Sequence, residues 1–159
     1  MKTGERERQI LVVCTGNTCR SPMAAGWLSK KLAGKGWVVQ SAGVAAWPGQ
    51  PAAAEAIEAM REIGCDISGH RTRAVETKMV ADARYILVMT AGHQWEIVAR
   101  FPLAENKVFL VHGFGVQEAC DVSDPVGMPL ETYRRTRDEI VQALGDFLLY
   151  LAENGEISH

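Results

Sequence analysis

The chain is poor in cysteine, with four among 159 residues, and that scarcity excludes a disulfide scaffold. It has no apolar run near the roughly 18 to 20 residues that cross a bilayer. Its longest, Phe147-Leu-Leu-Tyr-Leu-Ala152, is one part of a helical pattern. Charge of one sign is also missing. Lys and Arg total 17 against 19 Asp and Glu, and no basic run exceeds Arg134-Arg135, so nothing marks a nucleic-acid or anionic-membrane partner. Internal repeats, low-complexity tracts and long Pro/Gly/Ser linkers are absent too. What is present is an ordinary balance, 47% apolar and 23% charged. A chain this long buries about two-thirds of its unfolded surface without needing metal or crosslink. One domain over residues 9–159 is expected, after a charged lead over residues 1–8 expected to be disordered. The apolar stretch Ile10–Val13 is too short for a secretory signal, so a cytoplasmic location with reduced thiols is the expectation.

Gln9-Ile-Leu-Val-Val13 is a continuous apolar, β-branched run, the pattern of a strand covered on both faces. A polar loop follows, then Ser21 as N-cap and Pro22 at the first helical position. The helix expected from Pro22 carries Met23, Trp27, Leu28 and Leu32 at three- and four-residue spacing and stops at Gly34 and Gly36. Further strands are expected at Trp37–Ser41, Tyr85–Met89 and Lys107–Val111. Further helices are expected at Pro51–Ile63, near Val75–Ala83, near Gly92–Arg100, and along the stripe from Leu130 to Leu151. The resulting β-α-β-α-α-β-α-β-α order specifies an α/β fold with a parallel sheet. Ligands of such sheets bind beyond the carboxyl ends of the strands, at helix N-termini.

That rule singles out residues 14–21. The loop begins at a strand's carboxyl end and finishes at a helix N-terminus, so its amides and the helix dipole favour an anion. Cys14 stands at its mouth, where the same field stabilises a thiolate. Arg20 offers a planar fork suited to two oxygens of a phosphoryl group, and Ser21 can donate its hydroxyl to the thiolate.

The stretch Cys14-Thr-Gly-Asn-Thr-Cys-Arg20-Ser21-Pro22-Met23-Ala24 resembles the C-x5-R-S phosphate-binding loop of the low-molecular-weight protein tyrosine phosphatase family. The likeness continues through Ser41-Ala42-Gly43, His70, Ile86–Met89, Asp124-Pro125 and Tyr133. It implies a flavodoxin-like, three-layer fold of the phosphotyrosine protein phosphatase I type, with a four-stranded parallel sheet flanked by helices. It also implies a phosphatase that works through a cysteinyl-phosphate intermediate, without a cofactor or metal, on a phosphorylated protein, releasing inorganic phosphate. In that reading Cys14 is the nucleophile and Asp124 the general acid and then base. Thr15, Gly16, Asn17, Thr18, Cys19, Arg20 and Ser21 hold the phosphate, while Asn17, Ser21, Ser41 and His70 brace the loop. Thr18, Trp47 and Val126 line the substrate cleft.

The likeness is closest to the family's protein arginine phosphatase branch. That branch carries Thr at the position of Thr18, where tyrosine-specific members usually have a larger aliphatic residue. Val126-Gly127 also stands where those members place aromatics. Trp47 points the other way, towards a tyrosine-type cleft. Phosphoarginine is therefore the expected substrate and phosphotyrosine the alternative. A thiol-dependent arsenate reductase is a second alternative, since that family shares the Cys-Thr-Gly-Asn start, but its chemistry needs a resolving cysteine pair. Of the other cysteines, Cys19 is a candidate redox partner of Cys14, and Cys65 and Cys120 are expected to be packing residues. A zinc site is not expected, because no paired C-x-x-C or His motif is present. Trp27 and Trp37 are assigned to the core.

Overall fold

The computed structural model describes residues 7–115 and 118–158, so residues 1–6 of the charged lead lie outside the described residues. Four strands, β1 (Arg8–Cys14), β2 (Trp37–Gly43), β3 (Ala83–Val88) and β4 (Val108–Leu110), form one sheet in the order β2-β1-β3-β4. Every pairing is parallel. Among the described residues five α-helices complete it: α1 (Arg20–Lys31), α2 (Ala54–Arg61), α3 (Thr77–Asp82), α4 (Ala91–Arg100) and α5 (Leu130–Glu153). The element order and the three-layer α/β architecture are those expected from the sequence.

The reason β1 reads as an unbroken apolar run is visible in its two faces. Ile10 and Val12 pack into the core shared with Met23 and Leu28 of α1, Met60 of α2 and Phe147 of α5. Leu11 and Val13 alternate with them into a second core with Val80 of α3 and Ile97 of α4. A strand covered on both sides has no position left for a polar side chain. Tyr85 of β3 anchors an aromatic group under α5, with its ring 5.5 Å from Phe147 and 6.0 Å from Phe109. Such edge-on and tilted pairs are favoured over face-to-face stacking.

Several boundaries differ from expectation. β1 starts at Arg8, inside the expected lead, because Arg8 pairs with Trp37 and its N–H donates to the Gly36 carbonyl. Helix α1 starts at Arg20, so Ser21 is not its N-cap; the cap position is Cys19, which makes no side-chain capping bond. Pro22 remains compatible, since the first helical turn needs no donor there. Helix α2 begins at Ala54 instead of Pro51, and β4 is cut to three residues by short 3-10 turns at Pro102–Lys107 and Val111–Phe114. Trp37 is buried as expected, whereas Trp27 is only half-buried, with the Lys31 ammonium over its ring. Cys65 is in the core, but Cys120 is exposed and does not pack. Trp95, which sequence reasoning left unassigned, is exposed on α4.

Candidate active site

Residues 14–20 join the carboxyl end of β1 to the first turn of α1. Asn17 forms the turn by adopting a left-handed backbone, φ 59°, a conformation asparagine tolerates better than other residues with a side chain. Its side chain is fully buried and fully engaged. Nδ2 donates to Ser21 Oγ (2.8 Å) and Ser41 Oγ (3.0 Å), and Oδ1 accepts from the Arg73 amide (3.0 Å). The Asn17 carbonyl accepts from His70 Nε2 at 2.7 Å. Burial pushes the His70 imidazole below its ordinary pKa against the favourable effect of that bond, and Nε2 carries a proton in the tautomer the carbonyl requires. The residues expected to brace the loop are thus brought together on Asn17, with Ser21 and Ser41 at its side chain and His70 at its carbonyl. Ser21 turns back from the helix to sit 2.9 Å from Cys14 Sγ.

The β2 edge closes the loop from beneath. Val44 and Ala45 donate to the carbonyls of Cys14 and Thr15, both at 3.0 Å, and Ala53 donates to Thr18 O at 2.9 Å. The loop's carbonyls are therefore held from behind. Among the described residues no protein acceptor takes the main-chain N–H groups of residues 15–19. Unpaired amides beside a helix N-terminus make an anion cradle.

Arg20 is 4% exposed, and three groups fix it. Nη1 donates to the Val122 carbonyl (2.9 Å), and Nη2 lies 3.4 Å from both Thr15 Oγ1 and Asp124 Oδ2. The Asp124 carboxylate is half-exposed, and its other oxygen accepts from the Val126 amide at 3.0 Å. Arg20 and Asp124, far apart in sequence, therefore meet beside the loop that begins at Cys14, at the carboxyl edge of the sheet. The Cys19 thiol faces Tyr133 Oη (3.4 Å) and Thr18 Oγ1 (3.5 Å). Burial pushes that thiol up, with smaller contributions from the Asp124 and Cys14 charges, so Cys19 is held neutral. Trp47 is 77% exposed and Val126 61%, each in a loop leaving the site edge. The Trp47 carbonyl accepts from the buried Thr72 hydroxyl, which fixes the main chain and leaves the ring free.

Two participants have no motif in the sequence. His93, buried on the first turn of α4, places Nε2 2.8 Å from Thr15 Oγ1, and its Nδ1 has no partner among the described residues. Burial first, then the Arg20 charge, push its pKa down to about 4, so it is neutral near pH 7. The one available signal was Thr90 three residues earlier, whose hydroxyl caps the helix by accepting the His93 N–H. Arg73, whose Nε donates to the Ser41 carbonyl, gave no signal at all.

The sequence profile of the low molecular weight phosphotyrosine protein phosphatase family matches residues 9–157. A protein-arginine-phosphatase from Geobacillus stearothermophilus is 43% identical over 132 residues, 83% of this chain and 88% of that protein. Arsenate reductase 2 from Staphylococcus haemolyticus is 33% identical, covering 89% of this chain and 96% of that protein. Among solved structures, the YwlE arginine phosphatase from Geobacillus stearothermophilus superposes with a TM-score of 0.88 at 39% identity, covering 96% of this chain and 97% of that one. A profile that spans nearly all the described residues, together with relatives of this likeness, makes the chain a member of the low molecular weight phosphotyrosine protein phosphatase family.

Proposed function

We propose that this chain removes phosphate from protein phosphoarginine through a cysteinyl-phosphate intermediate. The Cys14 thiolate attacks phosphorus, the P–N bond breaks, and the leaving guanidino nitrogen takes the proton of Asp124. The loop amides and Arg20 hold the equatorial oxygens as charge shifts among them. The incoming phosphoryl group competes with Asp124 for Arg20, which frees the carboxyl to serve the leaving group. In the second step Asp124 accepts a proton from water, water oxygen attacks phosphocysteine, and the S–P bond breaks. Inorganic phosphate leaves and the thiolate returns. Ser21, 2.9 Å from Sγ, donates a hydrogen bond to the sulfur whenever it carries charge.

Thr18 carries the choice of phosphoarginine. A small hydroxylated side chain on the loop leaves room for a flat, hydrogen-bonding guanidinium, and Val126 supplies no ring for a phenyl group to stack against. The similarity to relatives named arginine phosphatases supports the same reading. Arsenate reduction is less well supported. All four cysteines are free, Cys65 is buried in the core, and Cys120 is exposed beside His112 and Glu139, so no resolving pair is assembled.

The test compares kcat/KM on phosphoarginine and phosphotyrosine peptides for the wild type and Thr18→Ile. The wild type is expected to prefer phosphoarginine, and the substitution to move the preference towards phosphotyrosine. A wild-type preference for phosphotyrosine that Thr18→Ile leaves unchanged overturns the substrate assignment. Cys14→Ser is expected to abolish turnover of both, and full activity in that variant overturns the mechanism.

A further inference from the structure

Away from the catalytic loop, at the side of the sheet where the turn after β4 packs on α5, three potential ligands converge from separate segments. His112 comes from the turn after β4, Cys120 from the loop that leads to Asp124, and Glu139 from α5. One ligand atom from each lies within 4.8 Å of the other two, and His112 Nε2 is 2.8 Å from Glu139 Oε1. We propose that these residues form a Zn2+ site with one coordination position open to solvent.

The donor set fits that ion. Zinc takes thiolate, imidazole and carboxylate in tetrahedral geometry. Donor atoms around one zinc stand about 3.3 to 3.6 Å apart, so separations of up to 4.8 Å need to close by about an ångström while the 2.8 Å His112–Glu139 pair opens by about half of one. Cys120 is exposed on a loop and the His112 side chain is partly exposed, so rotation about their χ angles can supply that movement. The surroundings favour a cation. A cavity of about 470 Å³ opens beside the cluster, and Glu118, Asp146 and Glu153 line it together with His112 and Cys120. The His112–Glu139 contact orients the imidazole before any ion arrives. On binding, the Cys120 thiol loses its proton to solvent, the imidazole of His112 passes to its Nδ1–H tautomer so that the ion replaces the proton Nε2 shared with Glu139, and thiolate, imidazole and carboxylate each give an electron pair to the metal, with no redox change.

The site has a mechanical consequence for the active site. After Cys120, Asp121 Oδ1 accepts the Ala91 amide, and the Val122 amide donates to Met89 O while its carbonyl accepts Arg20. A metal bound at Cys120 fastens the root of the Asp124 loop to α5 as well. The absence of a paired cysteine or histidine motif is no obstacle, because the three ligands come from three elements.

The test uses full-length protein carrying Cys14→Ser, which removes the reactive thiolate as a competing zinc ligand. Co2+ serves as the spectroscopic probe and Zn2+ as the competitor. One equivalent of Co2+ is expected to give thiolate-to-cobalt charge-transfer absorption, bleached by one equivalent of Zn2+. Adding Cys120→Ser is expected to remove the absorption, and adding His112→Gln to weaken binding of both ions. Zn2+ is also expected to raise the melting temperature of Cys14→Ser but not of Cys14→Ser/Cys120→Ser. Absence of stoichiometric binding, or charge-transfer absorption that survives Cys120→Ser, overturns the proposal.

Discussion

Asn17 does two jobs that different substitutions separate. Its left-handed backbone shapes the loop, and its buried amide joins Ser21, Ser41 and Arg73. Asn17→Ala loses the bonds and also places a Cβ-bearing residue with no local compensation at positive φ; Asn17→Gly loses only the bonds. Urea unfolding is expected to show a loss of about 3 kcal/mol for the alanine variant, with about 1 kcal/mol recovered by glycine. Equal losses would show that φ carries no strain there. His93 gives a pH prediction. Its folded pKa of about 4 lies below the ordinary value of 6.5, so between those values the unfolded chain binds a proton that the folded chain refuses. Stability contributed at this position is therefore present above pH 6.5 and lost as pH falls towards 4. The drop in unfolding free energy between pH 7 and pH 5 is expected to be smaller in His93→Gln than in the wild type. Identical drops would place the proton uptake elsewhere.

At the scale of elements, the contact between β2 and the loop that joins β1 to α1 is set by a glycine. A Cβ on Gly43 would stand 2.4 Å from the Thr15 carbonyl oxygen, 2.9 Å from Ala46 Cβ and 3.1 Å from the Asn17 nitrogen. Two of those neighbours are backbone, so the strand end and the loop must separate. Gly43→Ala is expected to cost about 1 to 3 kcal/mol and to lower kcat/KM more than the loss of folded protein explains, because the displaced Thr15 peptide carries with it an amide of the loop. A melting curve beside a kcat/KM measurement checks this, and unchanged kinetics in a destabilised variant would uncouple the two. The same elements show what was legible in advance. The two-faced burial of Ile10–Val13 and the long stripe of α5 are written in periodicity, and the loop's position follows from strand-then-helix order. The start of α1 was misjudged because Ser21 and Pro22 imitate a capped terminus, whereas the Ser21 hydroxyl is spent on Cys14 and Asn17. Ser41 and His70 were reached only through resemblance. His93, Thr72 and Arg73 were missed, since each acts by a contact across elements that no local pattern encodes.

Across the whole molecule, the near-neutral charge hides two separate fields, one at each end of the sheet. At the carboxyl edge stand the loop amides, Arg20 and Asp124. At the opposite edge Glu156, 8% exposed, receives Arg8 of β1 at 2.7 Å and Arg84 of β3, while its carbonyl accepts Trp37 Nε1 of β2 at 3.1 Å. A single residue beyond α5 thus ties three strands where they enter the sheet. Burial acts to raise the Glu156 pKa, but Arg84 and Arg8 outweigh it and hold the carboxyl below the usual range. The stability from this carboxylate is accordingly present above the unfolded pKa, about 4.3, and lost as pH falls through the lower folded value. Glu156→Gln keeps the shape and the main-chain bond to Trp37 while removing the charge. Because both arginines are partly exposed, the expected penalty at pH 7 is modest, about 1 to 2 kcal/mol, and it should shrink as the pH is lowered below 4. Turnover per folded molecule should not change, since the substitution lies at the far edge of the sheet from Cys14. Urea unfolding at pH 7 and pH 3.5, with kcat/KM measured at pH 7, separates these statements. A penalty that persists in acid would assign the effect to packing, and a loss of kcat/KM in folded protein would show that the two ends of the sheet are coupled.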